Sequence, residues 1–368
     1  RGLLPFSERH SNLFFGRDGE LNTCMERLRY ESSLVVVGPS GAGKTSFVQA
    51  GLIPRLRENS DWRVLRMRPG DSPISRLAAR LLTAHHEESA SHTVGDTIND
   101  QSLTGSTDLT DIDSRQVEIE TLAQKLRDSP NKVGLGLNTL AQQTQQRVLL
   151  VVDQLEELFT LCPDPNERIK FIEAISNAGD ESGDPIRVVC TIRDDFLGHV
   201  ARVGESARRL LEHIMLLDPP NKEALKDVLT LPLMRVGYRF DDPTLPDEMV
   251  NAVDDATSLP LLQFVARSLW EKRDQVHHTL RRADYESMGG VEGALARHAD
   301  GVLHGLAQDQ MKTARSLLLR LVTPEGTRRV CTEAQLLDGL PAGTDVVYQR
   351  LTKSRLLSMR RTGESDDG

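Results

Sequence analysis

The sequence of 368 residues predicts an α/β fold in which a parallel sheet has helices on both faces. Three observations predict it. Apolar runs at 34–37, 147–152 and 186–192 have the length and the residue types of buried strands, and 62–67 has the pattern of a further strand. Helical patterns separate these runs, and strands that alternate with helices form parallel sheets. After the proline pair at 219–220 the pattern becomes helical, so a region of different architecture follows.

The helices of the first region follow from apolar residues at helical spacing. They are predicted over 18–29, 44–56, 74–82, 115–126 and 167–178, and a further short strand is predicted over 213–217. Pro54 is expected to kink or end its helix. The segment 85–114 is rich in Ser, Thr, Asp and Gly, and its composition predicts a mobile surface insertion.

The second region begins with a helix that Asn221 caps, with Leu225, Val228 and Leu229 on its apolar face. Further helices are predicted over 246–253, 261–272 and 300–322. The last residues follow as turn, strand, helix, helix and hairpin strand, which is the order of a winged helix. We therefore predict three domains, namely a nucleotide-binding domain at 1–218, an all-helical lid at 219–298 and a winged helix at 299–368.

The composition excludes several classes of protein. Charged residues make up 27% and hydrophobic residues 38%, as in an ordinary globular protein, and the net charge of −9 disfavours non-specific binding to nucleic acid. No stretch approaches the about 20 apolar residues of a membrane helix, and the first residues do not have the pattern of a signal peptide. The four cysteines form no C-x-x-C pair, so reduced thiols in a cytoplasmic protein are expected.

A glycine-rich loop between the first strand and the next helix has the spacing of a phosphate-binding P-loop. Its residues are Gly38, Pro39, Ser40, Gly41, Ala42, Gly43, Lys44, Thr45 and Ser46. Glycines let backbone N–H groups surround phosphate oxygens, and the start of the following helix favours negative charge. Lys44 is expected to reach the β- and γ-phosphates, and Thr45 is expected to bind Mg²⁺. We therefore predict a nucleotide site here.

Acidic residues end the most apolar strand of the chain. Asp153 follows the run 147–152, and a carboxylate at the end of a buried strand costs free energy unless a binding partner compensates its charge. Its predicted role is to hold Mg²⁺. Glu156 and Glu157 follow, and at least one of them is predicted to polarise the attacking water. The alternative is that both are solvated loop acids.

Three further candidates lie outside these two motifs. Arg193 ends the strand 186–192, where it either senses the γ-phosphate or pairs with Asp194 or Asp195. Gly16 and Arg17 precede the first strand and are weak candidates for contacts with the base or the phosphates. Pro260 indicates only the start of a helix.

Taken together, these stretches resemble the STAND class of P-loop NTPases, which includes the NACHT and NB-ARC switch proteins, and they are most similar to bacterial novel STAND families. The similar stretches are "FFGRDGEL", "GPSGAGKTSFVQAGLIPRL", "VVDQLEELF", "CTIRDDFLG" and "SLPLLQFVARSLWEKR". The resemblance implies that Pro260 packs against the nucleotide. Ser258 departs from the pattern, since the class usually has glycine there.

The resemblance also implies a function. Members of the class bind ATP or ADP with Mg²⁺, hydrolyse ATP slowly and couple the nucleotide state to opening and self-association. They carry sensor repeats and an effector domain, which the resemblance places outside this sequence. Signalling or antiphage defence in bacteria is the expected context.

Two other functions remain as alternatives. An AAA+-like ATPase that acts on DNA also ends in a winged helix, but the last helix and hairpin carry few positive charges, namely Lys353, Arg355, Arg360 and Arg361. A small-molecule P-loop kinase would need an acceptor pocket and a lid with arginines, and the long helical second region disfavours it.

Overall fold

The computed structural model describes residues 4–93, 109–179, 185–253, 258–322, 329, 331–341, 343–353 and 356–357. The strands are β1 (Ser33–Gly38), β2 (Trp62–Met67), β3 (Arg147–Val152), β4 (Ile186–Arg193), β5 (Ile214–Leu216), β6 (Arg239–Phe240) and β7 (Thr279–Leu280). The α-helices are α1 (Asp18–Tyr30), α2 (Lys44–Ser46), α3 (Ile53–Asn59), α4 (Pro73–Thr93), α5 (Leu109–Asp128), α6 (Lys132–Thr144), α7 (Glu157–Thr160), α8 (Pro165–Ser176), α9 (Leu197–Ala201), α10 (Glu205–Leu210), α11 (Lys222–Arg235), α12 (Leu245–Asn251), α13 (Ser258–Glu271), α14 (Arg282–Ser287), α15 (Gly290–His304), α16 (Gln308–Arg320), α17 (Glu333–Leu337) and α18 (Thr344–Lys353).

The chain forms two compact units. The sheet unit comprises Glu20–Gly38 and Leu52–Leu217. The loop unit comprises Arg1–Gly19, Pro39–Gly51 and Asp218–Gly368, so it contains the glycine-rich loop together with the C-terminal region.

The sheet unit contains a five-stranded parallel sheet in the order β2-β3-β4-β1-β5. This confirms the predicted fold class. Every residue of β1 and of β4 is buried, because strands covered on both faces have no solvent side. Helices α4, α5, α6, α8 and α10 flank the sheet and share its hydrophobic core. In a parallel sheet all strands end at one edge, so Gly38, Val152 and Arg193 lie along that edge.

A fully buried arginine joins β4 to the end of α1. Arg187 is 1% exposed, and its Nε donates a hydrogen bond of 2.7 Å to the carbonyl oxygen of Leu28. Its Nη2 donates to the carbonyl of Arg29 at 3.3 Å. A cation at the C-terminus of a helix satisfies carbonyls that have no partner within the helix and interacts favourably with the helix dipole.

Three helical predictions for the first region need correction. The predicted helix 44–56 is interrupted by the π-helical segment Phe47–Leu52. Pro54 does not end the helix, because it lies in the first turn of α3, where no backbone N–H is needed, and α3 continues to Asn59. Helix α6 was not predicted, because glycines interrupt its apolar pattern. Helix α4 extends to Thr93, where alanine and glutamate favour helix, and α5 begins at Leu109, so both ends of the predicted mobile insertion are helical. Residues 94–108 of that segment lie outside the described residues.

In the loop unit, α11 to α15 share one hydrophobic core, which includes Leu225, Leu245, Val265 and Leu280. Asn221 caps α11 as predicted, since its side chain accepts a hydrogen bond of 2.9 Å from the backbone N–H of Ala224. The expectation of an all-helical region is wrong in one detail. Strands β6 and β7 form a short parallel pair, because aromatic and β-branched residues at 238–240 and 279–280 favour extended backbone.

Helices α16, α17 and α18 form a separate core around Ala314, Leu317, Val347 and Leu351. These helices agree with the order predicted for a winged helix. The strands predicted beside them fall mostly on 323–328, 330 and 358–368, which lie outside the described residues. The winged helix therefore stays a prediction.

Within the part of the chain that the structure describes, no helix has the length and apolar character needed to cross a membrane. All four cysteines are free thiols, as predicted. Burial raises the pKa of Cys24 and of Cys190 to about 12, because a thiolate is disfavoured away from water. These two cysteines are structural and unreactive.

Candidate nucleotide-binding site

The glycine-rich loop follows directly after β1 in the chain and lies in the loop unit. Gly41 and Gly43 have φ angles of +87° and +89°, which L-residues with a side chain rarely adopt. The backbone N–H of Ala42 donates to the carbonyl of Pro39 at 3.2 Å and closes a turn. The local backbone therefore favours glycine at both positions, of which Gly43 is a required glycine of the P-loop pattern.

Lys44 folds back over this loop. Its Nζ donates a hydrogen bond of 2.9 Å to the carbonyl oxygen of Pro39, and the side chain is buried. Ser46 is also buried, and its hydroxyl accepts a hydrogen bond of 3.0 Å from the backbone N–H of Phe6. The segment before the first helix is thus tied to the residues that end the motif.

Gly16 and Arg17 support the loop from a second side. The Nη2 atom of Arg17 donates to the carbonyls of Ala42 at 3.1 Å and of Asp218 at 2.7 Å. Gly16 has a φ of +78°, and a Cβ there would lie 2.7 Å from the carbonyl oxygen of Ala224 in α11. The structure thus brings Arg17 into direct contact with the glycine-rich loop and places Gly16 against α11.

Pro260 lies against the same loop. A Cβ on Gly41 would lie only 2.7 Å from Cγ of Pro260, and one on Gly43 would lie 3.3 Å from Cδ2 of Leu259. The first turn of α13 therefore packs on the loop at van der Waals distance. The sequence alone indicated only that a helix begins here.

Gly41→Ala is expected to destabilise the protein by about 1–2 kcal/mol through the left-handed backbone alone, and by more through the contact with Pro260. Thermal unfolding of Gly41→Ala, Pro260→Ala and the double variant measures both parts. The double variant should recover the steric part only. Gly237→Ala is a matched control, since its φ is +77° and nothing lies within 4 Å of the added Cβ. Equal losses for Gly41→Ala and Gly237→Ala would contradict the contact.

In the sheet unit, Asp153 is buried at the carboxyl end of β3. Its Oδ1 accepts a hydrogen bond of 2.7 Å from the hydroxyl of Thr191, a residue of β4. Its Oδ2 accepts from Nε and Nη2 of Arg68 at 3.3 and 3.2 Å. The backbone N–H of Gln154 donates to the same threonine hydroxyl at 2.9 Å. The predicted metal ligand is therefore held by a hydroxyl on one side and a guanidinium on the other.

Glu156 and Glu157 are both buried, so they are not solvated loop acids. Oε2 of Glu156 accepts the backbone N–H of Arg193 at 3.3 Å. Oε2 of Glu157 accepts the backbone N–H of Gly70 at 3.1 Å. The two carboxylates thus point to opposite sides of β3, one toward β4 and the other toward the turn after β2.

The side chain of Arg193 is paired with Asp195. Its Nε and Nη2 donate to the two carboxylate oxygens at 3.0 and 2.5 Å. The guanidinium carbon lies 5.3 Å from the centre of the Phe196 ring. Of the two pairings considered from the sequence, the structure shows the one with Asp195. In the sheet, Arg193 is the register partner of Gly38, and the glycine-rich loop follows Gly38 in the chain.

Sequence reasoning missed Arg68, Gly70 and Thr191. Arg68 and Gly70 follow β2, and Thr191 lies near the end of β4. Their position after or near strand ends was an available signal, because the carboxyl ends of parallel strands are where α/β proteins bind ligands. The signal was weak, since β2 becomes a neighbour of β3 only in the folded sheet.

The residues present fit a nucleotide and Mg²⁺. The glycine conformations of the loop are those that leave backbone N–H groups able to surround phosphate oxygens. Hydroxyl and carboxylate oxygens, such as those of Thr45 and Asp153, are ligands that Mg²⁺ prefers. Among the residues that the structure describes, no cluster of three or more His, Cys, Asp or Glu side chains could hold a metal.

A parallel sheet with a glycine-rich loop after β1 and a buried aspartate after β3 defines a P-loop NTPase. The chain belongs to the novel STAND NTPase 1 family, whose model matches residues 1–365. A search of curated proteins found no match.

Solved structures with a similar fold are known. A Walker-type ATPase of Pyrococcus abyssi is 15% identical with a TM-score of 0.50, over 96% of this chain and 92% of that chain. The ORC1 protein of Aeropyrum pernix, solved in complex with DNA, is 15% identical with a TM-score of 0.42, over 94% and 84%. Cdc6p of Pyrobaculum aerophilum is 13% identical with a TM-score of 0.44, over 94% and 88%. Of these three, only the Walker-type ATPase reaches a TM-score of 0.50, and at 15% identity that likeness concerns the fold alone.

Proposed function

We propose that the protein is a switch ATPase of the STAND type, which binds ATP or ADP with Mg²⁺ and hydrolyses ATP slowly. The observation that carries this proposal is the convergence of two distant segments, the N-terminal residues 6–17 and the start of α13, on one glycine-rich loop. Arg17 bonds to the carbonyl of Ala42, Phe6 bonds to Ser46, and Pro260 packs on Gly41. Because these segments contact the loop directly, a change of the bound nucleotide can change the position of the segments.

Each polar residue has a proposed role toward the nucleotide. Lys44 contacts the β- and γ-phosphates, and Thr45 and Asp153 bind Mg²⁺, which neutralises phosphate charge. Glu156 polarises the attacking water. Arg193 senses the γ-phosphate, and Pro260 reports the nucleotide state to α13.

The proposed role of Arg193 depends on its present partner. Asp195 holds the guanidinium through two hydrogen bonds. A γ-phosphate is a more highly charged acceptor than a carboxylate, so ATP can compete for the guanidinium where ADP cannot. Moving a population from 1:99 to 99:1 takes about 5.5 kcal/mol of preference between two states, and this exchange supplies part of it.

Wild-type protein is expected to differ in radius or mass between ADP and a non-hydrolysable ATP analogue, because the γ-phosphate favours the open, self-associating state. Arg193→Ala should reduce that difference, whereas Arg202→Ala, at an arginine bonded only locally to the carbonyl of Gly198, should retain it. Small-angle X-ray scattering and light scattering measure both. Identical shape and mass of the wild type in the two nucleotides would favour a plain ATPase instead.

The proposed role in the cell is taken from the family to which the chain belongs. A STAND-type switch in bacteria acts in regulatory or defence signalling, with sensor repeats and an effector domain as its partners. We propose this context for the present chain.

A further inference from the structure

Arg68 and Asp153 directly follow the neighbouring strands β2 and β3, at matching positions in the sheet. Met67 and Val152 are register partners in β2 and β3, and Arg68 and Asp153 are the next residues. The backbone N–H of Asp153 donates to the carbonyl of Met67 at 2.9 Å, so the ladder continues past the strands. The sheet itself places the two side chains next to each other.

The two carboxylate oxygens of Asp153 have partners of different kinds. Oδ1 is bonded to the hydroxyl of Thr191, a short side chain that is buried in β4. Oδ2 is bonded to the end of the long Arg68 side chain, through two donors at 3.2–3.3 Å. One oxygen therefore has a fixed partner, and the other has a partner that can move.

The exposure of the two side chains shows which of them can leave. The Arg68 side chain is 26% exposed and that of Asp153 is 8% exposed. A guanidinium at such a place can turn into water at low cost, whereas a buried carboxylate without a counter-ion is strongly disfavoured. A second cation at Oδ2 would therefore favour the departure of Arg68.

We infer that Arg68 is an exchangeable counter-ion of Asp153, which neutralises this carboxylate in the metal-free protein and gives up Oδ2 when Mg²⁺ binds. The inference rests on the proposed function, since it takes Asp153 as a ligand of the magnesium that accompanies the nucleotide. A guanidinium and a divalent cation cannot both neutralise the same oxygen fully. Arg68 then sets the Mg²⁺ concentration at which the nucleotide-bound state forms.

The test is thermal unfolding of Arg68→Gln and of the wild type, with saturating ADP and increasing magnesium chloride, and in EDTA without nucleotide. In EDTA the variant should melt below the wild type, because the ion pair between Arg68 and Asp153 is lost. With ADP the Mg²⁺ midpoint of the variant should fall about fivefold, the scale of a partly exposed ion pair. The difference in melting temperature should shrink as Mg²⁺ saturates.

Arg127→Gln is the matched control. Arg127 pairs with Glu167 in the same unit, and the two side chains are 26% and 10% exposed. This variant should lower the melting temperature equally with and without Mg²⁺ and leave the Mg²⁺ midpoint unchanged. A purely structural role of Arg68 would give the same pattern and would overturn the inference.

A higher Mg²⁺ midpoint in Arg68→Gln would also overturn the inference, since Arg68 would then assist binding of the nucleotide itself. If Arg68→Gln does not fold, Arg68→Lys keeps the charge and loses the two-donor contact. Its Mg²⁺ midpoint should lie below that of the wild type, and an unchanged midpoint would overturn the inference. Failure of the proposed function looks different, because the wild type itself would then show no stabilisation by ADP and Mg²⁺.

Discussion

Lys44→Ala is expected to abolish the stabilisation of the protein by nucleotide. A ligand at about 100 times its dissociation constant stabilises the folded state by about 2.7 kcal/mol. The ammonium of Lys44 supplies the positive charge of the loop, so its loss removes most of the affinity for the β- and γ-phosphates. Thermal unfolding with and without MgADP or MgATP measures the effect.

The same variant also loses the hydrogen bond from Nζ to the carbonyl of Pro39. That bond is worth about 1 kcal/mol in the ligand-free protein, so the ligand-dependent increment, not the absolute melting temperature, is the quantity to compare. Lys226→Ala removes a surface lysine that pairs with Asp247 and should keep the full increment. Retention of the increment in Lys44→Ala would refute nucleotide binding at this loop.

Glu156→Gln is expected to lower kcat for ATP hydrolysis by about 10²- to 10⁴-fold and to leave nucleotide binding intact. That is the range for loss of a general base, since an amide cannot take a proton from the attacking water. Glu156 is the better candidate of the acidic pair on geometric grounds. Its carboxylate contacts the backbone of Arg193, whose register partner Gly38 begins the glycine-rich loop.

Glu157→Gln is the matched control. Glu157 turns the other way and accepts the backbone N–H of Gly70 after β2, and the side-chain oxygen of glutamine can accept the same bond. Its expected effect on kcat is therefore small. Steady-state phosphate release and the melting increment with MgADP should be measured for both variants. A large loss in Glu157→Gln with normal turnover in Glu156→Gln would reverse the assignment.

Several features were predictable because their physical cause is local. Strands β2 and β3 occupy the predicted residues 62–67 and 147–152. For β3 the reason is that a strand covered on both faces reads as a nearly continuous apolar run. The glycine-rich loop was predictable because its left-handed backbone requires glycine at fixed spacing. The cap of α11 by Asn221 is likewise a bond between residues three apart.

Helix α6 shows where local patterns failed. Its glycines at 134 and 136 lower helix propensity, but the helix buries Val133, Leu137 and Leu140 in the core of the sheet unit. Packing of an apolar face outweighs about 1 kcal/mol of lost propensity per glycine. A propensity argument on the segment alone could not include that burial.

The sequence by itself determined the class of the protein, the strands of its sheet and the place of the glycine-rich loop after β1. Only the tertiary structure decided the partners of the charged residues. Because β4 lies between β3 and β1, Arg193 meets Glu156, while Arg68 meets Asp153 across the β2–β3 pair. Strand order and register bring together side chains that are far apart in the chain, and no local pattern of residues encodes that order.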